Sequence, residues 1–137
     1  MVLVGAAASA CTVDLGAPPD AAPCTPAPDR FVSSVWPDYL VANQCAARGC
    51  HDFSSGHGTL RLRAPEAELP APGTPLDAWP FAWRENFLSS IQHVRCDAPD
   101  ESRLLTVPEG VGDRHPPGPV VRDRARALAI VRAWVAP

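Results

Sequence analysis

The chain has 137 residues, 46% of them apolar, which is enough for one domain with a real core. Its formal net charge of −3 excludes a dedicated nucleic-acid or polybasic membrane binder, because both need a concentrated positive field. Seventeen prolines, many in the runs at 17–29 and 70–75, fix φ and remove backbone donors. The expectation is a mainly α fold whose short helices are separated by long proline-rich loops.

Residues 1–11, MVLVGAAASAC, run from apolar to small to cysteine, as at the end of an export signal too short to span a bilayer. Ala8, Ser9 and Ala10 directly before Cys11 resemble a bacterial lipobox, which implies cleavage and lipidation at Cys11. The alternative is an ordinary secretory leader cleaved near Ala10. Residues 12–28 then form a proline-rich tether, extended at roughly 3.1 Å per residue, and a domain follows over 29–137.

Asp29 is the expected cap of a first helix starting near Phe31. Phe31, Val32, Val35, Trp36, Tyr39 and Leu40 give it one apolar face. Pro37 breaks or kinks it, or opens its second half, and either way the segment delivers Cys45. A second helix is expected after the cap Asp77, with Pro80 in its first turn and Trp83, Phe87 and Ile91 stacked at i, i+4 and i+8. A short turn follows over residues 100–105, capped by Asp100. The last helix runs from about Asp123 to Val135, with an apolar stripe of Leu128, Val131, Trp134 and Val135. Only residues 59–63 look strand-like.

The chemistry concentrates in CAARGCH, residues 45–51. It is a spaced form of the haem-attachment signature, which ordinarily has two residues between the cysteines. Two thiols can add to the two vinyl groups on one porphyrin edge, and the histidine directly after the second cysteine then lies under the iron. Gly49 suits the tight turn that a widened loop needs. On the motif alone, a local Cys45–Cys50 disulfide with His51 on the surface is an equal alternative. A zinc site built from Cys45, Cys50, His51 and Cys96 lacks a second close ligand pair.

The stretch FVSSVWPDYLVANQCAARGCHDFSSGHGTLRLRAP, followed later by ESRLLTVPEGVGDRHPPGP and RARALAIVRAWV, resembles a group of bacterial cytochrome-c-like lipoproteins with this widened motif. The likeness spans roughly residues 30–135. It implies a small cytochrome-c-like helical domain that carries one haem c on Cys45 and Cys50, with His51 as the proximal ligand. The usual distal methionine is missing, since the sole methionine is Met1, which export would remove. His57, His93, His115 or no protein ligand remain for the sixth position. His57 follows His51 too closely to reach the opposite face, and His93 reads as a helix-surface histidine. His115 stands in a rigid loop before the last helix, where the resembling proteins carry H-P-x-G, and is the expected distal ligand. A bis-histidine pair implies a potential below that of methionine ligation.

Cys24 and Cys96 are left over once haem takes the other pair, and in an oxidising compartment they are expected to form a disulfide. Arg48, Arg61, Arg63 and Arg114 are candidate partners for the haem propionates. Trp36, Trp79, Trp83 and Trp134 read as core. The functional expectation is an electron-transfer protein that is not an enzyme, held to the bacterial cell envelope by its lipid anchor alone. It would face the periplasm or the exterior, with envelope redox proteins as partners and no nucleic acid. The alternative is a structural or interaction lipoprotein, without haem, stabilised by Cys45–Cys50 and Cys24–Cys96 disulfides.

Overall fold

A computed structural model of the chain describes residues 25–56, 58–65, 67–111, 115 and 120–136. The expected lipidation site Cys11, the tether up to residue 24, His57 and Arg114 lie outside them. Helices make up 46% of the described residues, and the sole β feature among them is an isolated parallel bridge between Asp52 and Leu62. The fold is mainly α. No helix among these residues is long and apolar enough to cross a membrane.

The first helix, α1, opens with a turn over Pro28–Arg30 and continues with wide, π-type hydrogen bonding over Phe31–Val41. Pro28 starts it, because its preset φ suits a first turn whose amides lack partners anyway. Asp29 is therefore not the cap: it sits inside the first turn, and its carboxylate accepts from the Gly73 amide at 3.1 Å. Pro37 neither breaks α1 nor restarts it. In an ordinary α-helix its ring would collide with the carbonyl four residues back. The wider turn accommodates it, as the i→i−5 bonds Ala42 N–H to Pro37 O and Cys45 N–H to Leu40 O show. All six residues of the expected apolar face are buried.

Three further helices, with Leu60, Leu62 and Trp79 from the connecting segments, complete the core. Helix α2, Phe81–Ile91, begins after Pro80, while Asp77 lies in a separate 3₁₀ turn, Leu76–Ala78, and caps nothing. Likewise Asp100 falls within a 3₁₀ turn, Pro99–Glu101, ahead of the short helix α3, Arg103–Thr106. Helix α4, Arg124–Val135, has the expected cap: the Asp123 carboxylate accepts from the Arg126 amide at 2.9 Å. It packs on α1, and Trp134 stacks against Phe31 and Phe87 with ring centres 5.6 and 6.1 Å apart. The Ala27 amide also donates to the Trp134 carbonyl, joining the start of α1 to the end of α4.

All four tryptophans are core residues. Trp79 and Trp83 each donate their indole N–H to a loop carbonyl, of Thr74 and Ala67 respectively. Residues 59–63 form no strand pair beyond Leu62. They are pinned to α2 by side chains: Ser89 Oγ accepts from the Arg61 amide, and Asn86 grips both backbone groups of Arg63, at 2.6 and 2.8 Å. Asn86 is fully buried, and this two-way bond satisfies it there. The segment is thereby fixed as one wall of the site.

Candidate functional site

A cavity of about 470 Å³ opens where α1 ends. Its walls come from Tyr39 and residues 42–45, from Cys50 and His51, from Gly58–Leu60, from His93, from α3 with Val107 and Pro108, and from His115, Val120 and Arg122. The size falls within the roughly 300–1,000 Å³ range of cofactor pockets. Tyr39 joins two of these walls by donating its buried hydroxyl to the Leu104 carbonyl.

The loop 45–51 closes on itself. The His51 amide donates to the Cys45 carbonyl at 3.1 Å, and Cys50 N–H to Ala47 O at 3.0 Å. Closure needs left-handed backbone at Gly49, with φ at 81°, which glycine adopts without the steric cost of a side chain. Asp52 locks the loop from below. Its carboxylate accepts from the Gly49 amide at 2.7 Å, from the Ser54 hydroxyl and from both the amide and hydroxyl of Ser55. These bonds, Ser54's foremost, hold the Asp52 carboxyl below the usual carboxylate range. Gly56 completes the turn: a Cβ there would lie 2.4 Å from the Asp52 carbonyl oxygen and 2.7 Å from the His51 carbonyl carbon.

Cys45 and Cys50 both line the cavity as free thiols, Cys45 buried and Cys50 exposed. They are therefore not bonded to each other. Burial pushes the Cys45 thiol up to about 12, and the neighbouring Cys50 adds to the shift. His51 is held at three points. Its amide bonds Cys45, its carbonyl accepts from the Leu62 amide at 2.8 Å, and its Nδ1 lies 3.2 Å from the Leu60 carbonyl. A proton on Nδ1 for that carbonyl requires the tautomer whose Nε2 carries the lone pair, the usual arrangement in a metal-ligating imidazole.

His115 faces His51 across the cavity, with ring centres 5.9 Å apart and planes inclined by 34°. Two imidazoles sharing one metal need about 2.0 Å per bond and about 1.1 Å from nitrogen to ring centre, or about 6.2 Å in all. The observed spacing of the ring centres is close to that value. His93 departs from its expected place on a helix surface. It lies just beyond α2, lines the cavity and has Nε2 3.5 Å from the Thr59 hydroxyl. Burial lowers its pKa, and the Arg103 and His51 charges lower it further.

Of the expected propionate partners, the three within the described residues are engaged elsewhere or do not line the cavity. Arg61 donates to the Gly56 carbonyl, Arg63 stacks 3.3 Å over the Phe53 ring, and Arg48 does not line the cavity. Arg103 and Arg122 line the cavity instead. Nothing local in the sequence marks those two. The Asp52-Ser54-Ser55 cluster went unread too, although it has the composition of a side-chain-capped turn, which is the signal that could have found it. Cys96 is disulfide-bonded to a partner outside the described residues. Among the described residues, no group of three His, Cys, Asp or Glu side chains could hold a metal ion, which counts against zinc on Cys45, Cys50, His51 and Cys96. Comparisons with protein-family models, curated proteins and solved structures found no match.

Proposed function

We propose that the chain holds one haem c, linked covalently to Cys45 and Cys50 and ligated by His51 and His115, and that it transfers electrons at the bacterial cell envelope. The observation that carries this reading is the 5.9 Å spacing of the two imidazoles across a cavity lined by both cysteines. When bound, the haem supplies one-electron chemistry between ferric and ferrous iron.

The residues around it would do the rest. Leu60 O orients His51, while Leu60, Leu104 and Pro108, all buried, exclude water from the cavity wall. With histidine on both sides, no coordination position is left for substrate, so the reading is a carrier of lowered potential and not an enzyme. A cytochrome-c-like arrangement with long proline-rich loops, a lipid anchor at Cys11, a Cys24–Cys96 disulfide and redox proteins of the envelope as partners complete the proposal.

The test is to express the full chain in a bacterium with c-type maturation machinery and weigh it intact after denaturation. One haem retained on the wild type, and lost when Cys45 and Cys50 are both replaced by Ala, is the expected outcome. An unmodified mass together with a Cys45–Cys50 disulfide would support the structural lipoprotein instead.

A further inference from the structure

His51 is oriented by a peptide group, and that peptide is itself gripped from α2. The imidazole Nδ1 lies 3.2 Å from the Leu60 carbonyl oxygen. The Arg61 amide belongs to the same planar unit as that carbonyl, and it donates to Ser89 Oγ at 2.8 Å. One peptide group thus accepts from the histidine on one side and donates to a serine of α2 on the other. Three further bonds hold the strip in place. The Leu62 amide donates to the His51 carbonyl at 2.8 Å, and Asn86 of α2 bonds both backbone groups of Arg63. Leu60 and Leu62 are buried on either side of Arg61, so the strip has little room to turn. Hydrogen bonds in series polarise one another, and a peptide whose N–H donates carries more negative charge on its oxygen. A better acceptor at Leu60 draws the Nδ1 proton and makes Nε2, the other ring nitrogen, a more basic metal ligand. A more basic ligand favours ferric over ferrous iron.

We infer that Ser89 is a positioning residue for His51, acting through the Leu60–Arg61 peptide to fix the imidazole and to lower the reduction potential of the iron it ligates. This rests on the haem reading above. Ser89 does not line the cavity, so its influence runs through the peptide and not through contact with the haem. Its neighbour Ser90 provides the internal contrast. The Ser90 hydroxyl donates to the Asn86 carbonyl at 2.7 Å, a bond that stays inside α2 and leads nowhere toward His51.

The holoprotein is the material for the test, as wild type, Ser89→Ala, Ser89→Thr and Ser90→Ala. Alanine favours a helix more than serine does, so α2 is retained in both alanine variants. Two quantities are read: the reduction potential, and the exchange rate of the paramagnetically shifted His51 Nδ1 proton in the ferric protein. Ser89→Ala is expected to raise the potential and to speed the exchange. Ser89→Thr keeps the hydroxyl and should return both toward the wild type. Ser90→Ala should move neither, even where it costs as much stability, which separates a path to His51 from a general loosening of α2. Covalent haem in Ser89→Ala with the potential and exchange rate of the wild type or of Ser90→Ala would overturn the inference while leaving the haem reading intact. Absence of covalent haem from the wild type would overturn both.

Discussion

Tyr39 is the only tyrosine in the chain and there is no lysine, so beside the cysteine thiols it is the main group that titrates in the alkaline range. The ring is 1% exposed, and its hydroxyl donates to the Leu104 carbonyl, tying α1 to α3 across the cavity. Burial, with smaller contributions from the charges of Cys45 and Glu109, raises its pKa well above the usual tyrosine value. In the unfolded chain Tyr39 ionises near about pH 10. Above that pH the unfolded state has lost a proton that the folded state keeps, so stability falls as pH rises, by about 1.4 kcal/mol per pH unit. Below it the contribution is fully present. Tyr39→Phe removes this slope and costs about 1–3 kcal/mol at neutral pH, because the buried Leu104 carbonyl loses its donor. The assay is urea unfolding of both proteins from about pH 8 to about pH 11.5, with tyrosinate absorbance followed against the Phe variant as blank. Tyrosinate should appear only as the chain unfolds. The reasoning fails if Tyr39 ionises near its usual value in the folded protein, or if Tyr39→Phe retains the same alkaline slope.

Three further outcomes follow from the walls of the site. Gly49→Ala should cost about 1–2 kcal/mol, the penalty of left-handed backbone with open space around it, whereas Gly56→Ala should cost more and disturb the haem spectrum, because its Cβ would strike the backbone of His51 and Asp52. Asn86→Ala leaves both backbone groups of Arg63 without a partner and should destabilise by about 2–4 kcal/mol in denaturant melts, with faster hydrogen exchange over residues 59–63. Asp123→Ala removes the cap of α4 and should cost about 1 kcal/mol by the same melts without moving the haem spectrum.

Periodicity made the apolar faces readable: every residue expected on the buried side of α1 is buried, and so are Trp83, Phe87, Val131 and Trp134 on α2 and α4. Helix starts were harder. Asp29, Asp77 and Asp100 all have the composition of caps, yet Asp29 and Asp100 each follow a proline that starts the turn with its preset φ, and Asp77 lies inside a 3₁₀ turn that Pro75 precedes. The π-type winding of α1 has no pattern of its own, since an apolar face at three-to-four spacing looks the same in either helix. At the site, Cys45, Cys50 and His51 are contiguous, and their grouping was evident. The approach of His115 to His51 depends on the loop path, and the turn of His93 toward the cavity depends on where α2 stops. Arg103 and Arg122 come to the cavity only through the fold, and no local pattern marks either of them.

Electron paramagnetic resonance of the ferric protein, purified from a cell envelope, decides whether an iron is held between His51 and His115 as proposed. A low-spin, six-coordinate bis-histidine signal is expected, becoming high-spin in His115→Ala while the covalent haem is retained. A five-coordinate wild type that binds carbon monoxide at once on reduction, or a low-spin signal unchanged by His115→Ala, would contradict it.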